Sequence, residues 1–239
     1  MSERAVKILL YGVPALILLI FIVWMEVDPY NLAPMTHEDG WIENGTAIGY
    51  GVGGLFFFLA AWSAPQLKNG VRGWAKVMTI AWGLIGVFLA GEEISWGQRI
   101  FDIATPEAIS EDSTQNEINI HNLAFIEDNS DLSEYRMLSI YMILGGLGIP
   151  IIARIRWGKQ LVGWTYFPVV PWCYTVLWVG AYVYGKYYRN WEPIPDLRPE
   201  NAATEIRELL VGIGTALFGF HAWWRPSEVY IGEAPTKQS

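Results

Sequence analysis

The chain is poor in cysteine, histidine and cationic side chains. Of its 239 residues one is Cys and three are His, and 16 Lys and Arg stand against 24 Asp and Glu, giving a formal net charge of −8. A single thiol, Cys173, excludes an internal disulfide framework and a cysteine-based metal centre. Lying in an apolar run, it reads as a small core residue. The acidic balance argues against a nucleic-acid partner, since phosphate binding needs clustered Lys and Arg. Gln/Asn tracts, Pro-rich linkers, internal repeats and a complete metal signature such as H-E-x-x-H are also missing.

What remains is apolar. Hydrophobic residues make up 52% of the chain, 13 residues are Trp, and the mean hydropathy is +0.24. Crossing hydrocarbon takes about 20 mostly apolar residues per helix, and six windows qualify: 8–25, 47–65, 76–94, 137–155, 161–184 and 206–224. The first is too long for a signal-peptide core and lacks a small-residue cleavage site before Glu26 and Asp28, so it reads as an anchor. The expectation is an all-α fold: one integral membrane domain over 1–239, a polytopic helical bundle of six spans. A polar outer loop over 95–136 and a cytoplasmic tail over 226–239 complete it.

Charge orients the bundle. Arg4 and Lys7, then Lys68, Arg72 and Lys76, then Arg154, Arg156 and Lys159 mark one side. The alternate segments are acidic: Glu26, Asp28, Glu38, Asp39 and Glu43, then Glu107 through Glu134. The positive-inside rule places both termini in the cytoplasm of an inner-membrane protein. Trp24, Trp41, Trp62, Trp74, Trp96, Trp157 and Trp191 fall near span ends and read as interface anchors. The Gly49-x-Gly51-x-Gly53-Gly54 string lies within an apolar window with no strand before it, so it reads as a helix-packing face and not a nucleotide loop.

The chemistry concentrates where span three ends, at Gly91-Glu92-Glu93-Ile94-Ser95-Trp96-Gly97-Gln98-Arg99. Gly83, Gly86, Ala90, Glu93 and Gly97 share one helix face, which turns Glu93 to the bundle interior, whereas Glu92 points towards the headgroups. Span six repeats the pattern. Asn201 or Thr204 caps its start, Glu205 and Glu208 occupy its first turns, and Gly212, Thr215, Ala216 and Gly219 continue the face. Topology brings both carboxylates to one depth, so spans three and six are expected to pack directly and join Glu93 to Glu208.

The intervening loop supplies a roof. Thr105-Pro106-Glu107 reads as a cap followed by Pro at the first helical position, with Glu107 on the solvated side. Glu117 and His121 share a face in a helix, and Glu117, Asn119 and His121 do so in an extended segment. Arg99 and Arg207 are the expected countercharges, and Gln98, Asn119 and Asn122 the neutral partners. His37 reads as a loop residue, and His221 lies at the other end of span six.

The motif Glu92-Glu93-x-Ser95-Trp96-Gly97-Gln98-Arg99-Ile100-Phe101, followed by Pro106 and by Gln115-x-Glu117-x-Asn119-Ile120-His121-Asn122, resembles a segment shared by a group of uncharacterised bacterial polytopic membrane proteins. It covers residues 90–123. The resemblance implies a bacterial membrane protein and carries no reaction.

Three functions remain open. One is a membrane-embedded enzyme acting on a lipid or amphipathic substrate. Glu93 or Glu208 would be its general base, His121 its proton shuttle, and a divalent metal on Glu93, Glu117, His121 and Glu208 an option. The second is a non-catalytic subunit or assembly factor with a membrane-protein partner. The third is a small ion-coupled transporter, with Pro168 and Pro171 breaking span five. Beside these stands a purely structural reading, in which Glu205 and Glu208 solvate a first turn and Glu92 and Glu93 pair with arginines.

Overall fold

The computed structural model describes residues 3–32, 40–63, 69–111, 113, 116–120, 123, 134–189 and 199–230. Their regular structure is helical, with one isolated bridge between Ser113 and Leu123. The helices are α1 (Glu3–Val27), α2 (Pro29–Leu32), α3 (Trp41–Ser63), α4 (Asn69–Glu93), α5 (Gln98–Phe101) and α6 (Glu107–Ser110). After them come α7 (Glu134–Ile143), α8 (Ile149–Ile152), α9 (Arg156–Thr165), α10 (Trp172–Tyr188), α11 (Pro199–Trp224) and α12 (Pro226–Val229). Among the described residues four stretches are long and apolar enough to cross a membrane: Ile8–Val27, Trp41–Ser63, Gly73–Glu93 and Tyr135–Ile152. Trp41, Trp62, Trp74 and Trp157, all near helix ends, are well exposed.

Glycine sets the packing. α3 carries two small-residue faces and uses both. On one, a Cβ added to Gly49 would stand 2.6 Å from the Gly212 carbonyl carbon, and one on Gly53 2.8 Å from the Thr215 carbonyl oxygen. On the other, a Cβ on Gly54 would stand 2.9 Å from the Gly83 carbonyl oxygen, and one on Gly86 2.8 Å from that of Tyr50. Backbones this close gain dispersion contacts that no side chain could supply.

Direct backbone packing of spans three and six is therefore not what forms. α3 lies between α4 and α11, and the small faces of both dock on its glycines. The reason is steric: two matched small faces need not meet when a third helix offers a better fit to each. α4 and α11 still touch through rings, with Trp82 and Phe218 at 5.2 Å between centroids. Phe57, Trp178 and Tyr141 complete this aromatic core around Trp82.

Two other boundaries differ from the sequence reading. Window four is continuous only through a π-helical turn, Leu144–Gly148. There Gly145 and Gly146 make room for the Trp178 side chain: its indole would lie 2.4 Å from a Cβ on Gly145, and its Cβ 2.4 Å from one on Gly146. Window five divides in two. α9 ends at Thr165, Tyr166 adopts a left-handed φ of 50°, and α10 starts only after Pro171. Pro168 and Pro171 have no amide hydrogen to continue a helix, and Val169 instead donates its N–H to the Val229 carbonyl. α11 also begins earlier than expected, at Pro199, so Asn201 and Thr204 are inside the helix and not at its start.

At the α9–α12 end, buried His221 links Tyr174 to Glu228 by its two ring nitrogens, at 3.1 and 2.9 Å. Glu228 also accepts from Arg225. Burial alone would raise the Glu228 carboxyl, but these two partners outweigh it and hold it below its ordinary value. Cys173 is buried in the apolar core beside Tyr174.

Candidate functional site

α4 stops at Glu93 because the backbone turns left-handed. Ser95 and Trp96 have φ of 47° and 54°, and Gly97 has 81°. Side chains other than Gly resist this region, so the turn must be held from outside. Glu92 holds it. One carboxylate oxygen accepts the Trp96 indole N–H at 2.6 Å, and the other accepts the Ile120 amide at 2.7 Å. Glu92 is buried and does not point towards headgroups, which corrects the helical-wheel expectation. The wheel assumes that the helix continues past Ile94, and it does not.

The segment Asn116–Ile120 is pinned along its length. Ser95 donates to Glu117 at 2.7 Å, and the Asn119 amide donates to the same carboxylate oxygen at 2.9 Å. Gln98 accepts the Ile118 amide at 2.7 Å and donates to Thr105 and to the Asn116 carbonyl. Glu117 and Asn119 thus reach the same serine, as alternate residues of an extended stretch do. The Asn119 side-chain oxygen Oδ1 is buried with no hydrogen-bond partner. Thr105 does not cap α6, whose N-cap is Pro106; its hydroxyl ties to Asn116. Glu107 is exposed, as expected.

Deeper in the same end, three helices bring polar groups together. The Tyr50 hydroxyl on α3 is buried, has no hydrogen-bond partner, and lies within electrostatic range of Glu93, Tyr141, Glu208 and Arg207. Glu93 and Glu208 therefore converge on Tyr50 from α4 and α11. Arg207 is fully buried and donates to Glu208 at 2.9 Å. Its guanidinium lies over the Tyr135 ring at 4.1 Å, with Arg189 over the same ring at 4.2 Å. Tyr141 reaches Thr215 at 3.5 Å.

The sequence-named residues thus divide into two groups. Glu92, Gln98, Glu117 and Asn119 build the loop. Glu93, Arg207 and Glu208 belong to the cluster around Tyr50, and Glu205 is half-buried on α11 and makes further interactions. His121, Asn122, His37, Trp191 and the Arg99 side chain lie outside the described residues. Among the described residues no three His, Cys, Asp or Glu side chains form a group able to hold a metal ion. Of the expected set, Glu117 bonds to Ser95 and Asn119 and Glu208 pairs with Arg207, while His121 lies outside the described residues.

Tyr50, Tyr135 and Tyr141 escaped the sequence reading. The signal for Tyr50 was its position as the lone hydroxyl inside the glycine string of span two. Comparison with family models, with curated proteins and with solved structures returned no match.

Proposed function

We propose that the chain is a six-span inner-membrane protein with both termini inside. In this reading it is an enzyme whose outer-end polar cluster acts on a lipid or other amphipathic substrate. One observation carries the reading: a buried hydroxyl without a hydrogen-bond partner, Tyr50 on α3, stands among two carboxylates and a guanidinium contributed by two other helices. Gathering a buried hydroxyl and three charged side chains at one place costs desolvation that apolar packing would avoid. Glu93, the carboxylate that bears most strongly on the Tyr50 hydroxyl, is the acid–base residue. Tyr50 positions or protonates the reacting oxygen, and the Glu92-anchored segment closes the cluster from the aqueous side.

Topology is tested with Glu107→Cys and Lys159→Cys in a Cys173→Ala background. A membrane-impermeant maleimide should label the first in sealed right-side-out vesicles and the second only after permeabilisation. The reverse pattern would invert the bundle and remove the outer-face site.

Function is tested by comparing lipid extracts of cells lacking the protein with cells carrying the parent or a variant. Glu93→Gln should leave the deletion profile at least tenfold uncorrected, whereas Glu107→Leu should restore it like the parent. Full restoration by Glu93→Gln would end the acid–base reading.

A second reading, a subunit of a larger membrane complex, draws on α1. That helix exposes Leu9, Leu16, Leu19, Ile20 and Val23, and a partner helix would cover them. A stably co-purifying membrane protein, with Glu93→Gln silent, would favour it.

A further inference from the structure

We infer that segment 96–103, together with Ile120, is seated in the bilayer surface, its apolar side chains covered by lipid of the leaflet in which α4 ends. Sequence alone reads this stretch as part of a polar outer loop. Yet Phe101 and Ile100 are 73% and 65% exposed, and Trp96, Ile103 and Ile120 are nearly half exposed. Single apolar side chains on a surface are ordinary, whereas a contiguous group marks contact with an apolar partner. The helix end holds this group together. Glu92 accepts the Trp96 indole N–H through one oxygen and the Ile120 amide through the other, which sets those two residues side by side. Gly91 lets the indole lie against the last turn of α4, since a Cβ there would stand 2.9 Å from the ring. A Cβ on Gly97 would meet the Phe101 ring at 3.1 Å. The polar side chain of the same stretch is spent inside the loop, where Gln98 bonds to Thr105 and to the backbone of Ile118 and Asn116.

What covers the group follows from its neighbour. α4 exposes Ile80, Leu84, Val87 and Phe88 at three- and four-residue steps, along a stretch long and apolar enough to cross a membrane. Phe88 meets Trp96 edge to face, with ring centroids 5.8 Å apart. The exposed stripe of the span therefore runs directly into the loop, and the occupant continuous with that stripe is lipid. Charge sets the depth. Asp102, exposed between Phe101 and Ile103, resists the hydrocarbon core. The segment accordingly lies at headgroup level with its apolar side chains at the acyl boundary, the depth that indole favours. The inference rests on the membrane-spanning part of the reading above and not on catalysis. It deepens that reading, because the Glu92 end of α4 is then met from the leaflet, where an amphipathic substrate resides.

The test places a nitroxide label at Ile100→Cys, Phe101→Cys or Ile103→Cys, each in a Cys173→Ala background. Leu84→Cys serves as the lipid reference and Glu107→Cys as the aqueous one, both being exposed positions. The full chain is reconstituted in vesicles of phosphatidylcholine and phosphatidylglycerol. Power saturation then compares collisions with oxygen, which concentrates in lipid, and with nickel ethylenediaminediacetate, which stays in water. The oxygen-to-nickel ratio at Phe101 and Ile103 should exceed that at Glu107 by about threefold or more and stay below that at Leu84, as a headgroup-level depth requires. A ratio equal to that at Glu107 overturns the inference. So does poor access to both reagents, which would mean that a protein surface covers the group. A water-like Leu84 would remove the span itself and the inference with it. Lipid-like labels together with a fully restoring Glu93→Gln would end the acid–base reading and leave the seated segment standing.

Discussion

Gly49→Ala should destabilise the protein by about 3 kcal/mol, the upper part of the range for overpacking. In a chain of this size that lowers Tm by roughly 6–12 °C. The added methyl would meet the Gly212 carbonyl carbon at 2.6 Å, its oxygen at 2.9 Å and its Cα at 3.1 Å. All three are backbone atoms, so no rotamer change relieves the clash, and the α3–α11 seam must widen along its length. Widening also separates Gly53 from Thr215 and Gly219 from Gly53, which approach as closely. Gly12→Ala and Gly73→Ala provide the comparison, because a Cβ at either meets no heavy atom within 4 Å. Those variants should stay within about 0.5 kcal/mol of the parent. Thermal unfolding of the three proteins in one detergent decides the matter. Equal stability of Gly49→Ala and Gly12→Ala would mean that the seam is not backbone against backbone.

The second large effect belongs to Glu92. In Glu92→Ala the Trp96 indole and the Ile120 amide both lose their acceptor, at a cost of about 1–3 kcal/mol each. The left-handed turn at Ser95 and Trp96 loses its restraint with them. The expected result is detachment of Asn116–Ile120 from the helix end while the bundle stays folded. Hydrogen exchange at the Ile120 amide should quicken by roughly tenfold or more, the equivalent of about 1.4 kcal/mol. Glu92→Gln, which keeps one acceptor oxygen, should fall between. Unchanged Ile120 protection in Glu92→Ala would show that Ser95, Gln98 and Asn119 suffice to hold the segment.

Much of this was written plainly in the residues. The glycine string of span two announced a packing face, the periodicity of span three turned Glu93 inward, and Pro168 with Pro171 marked a break in window five. Each is a local property, fixed by backbone sterics or helical repeat. What could not be read was partnership. A helix shows in its sequence that one face is small, but the helix that fills it depends on the competition among all such faces, and α3 won both contests. Glu92 was misplaced for a related reason. Its role depends on two non-glycine residues, Ser95 and Trp96, adopting positive φ, which no local preference favours and which the Glu92 bonds to Trp96 and Ile120 sustain. Tyr50 was hidden in the same way, since a tyrosine among glycines gives no hint of acids arriving from two other helices.

The double-sided seating of α3 also has a consequence in time. α11 follows every other long helix in the sequence, and its early turns carry Glu205, Arg207 and Glu208, a cargo that a bilayer accepts poorly from a helix on its own. It is not among the stretches apolar enough to cross unaided. The groove along Gly45, Gly49 and Gly53 belongs to α3, whose other face packs on α4, and both helices precede α11 in the chain. The earlier half of the chain thereby acts as a mould, and the polar cluster comes into being only when the late helix is cast into it.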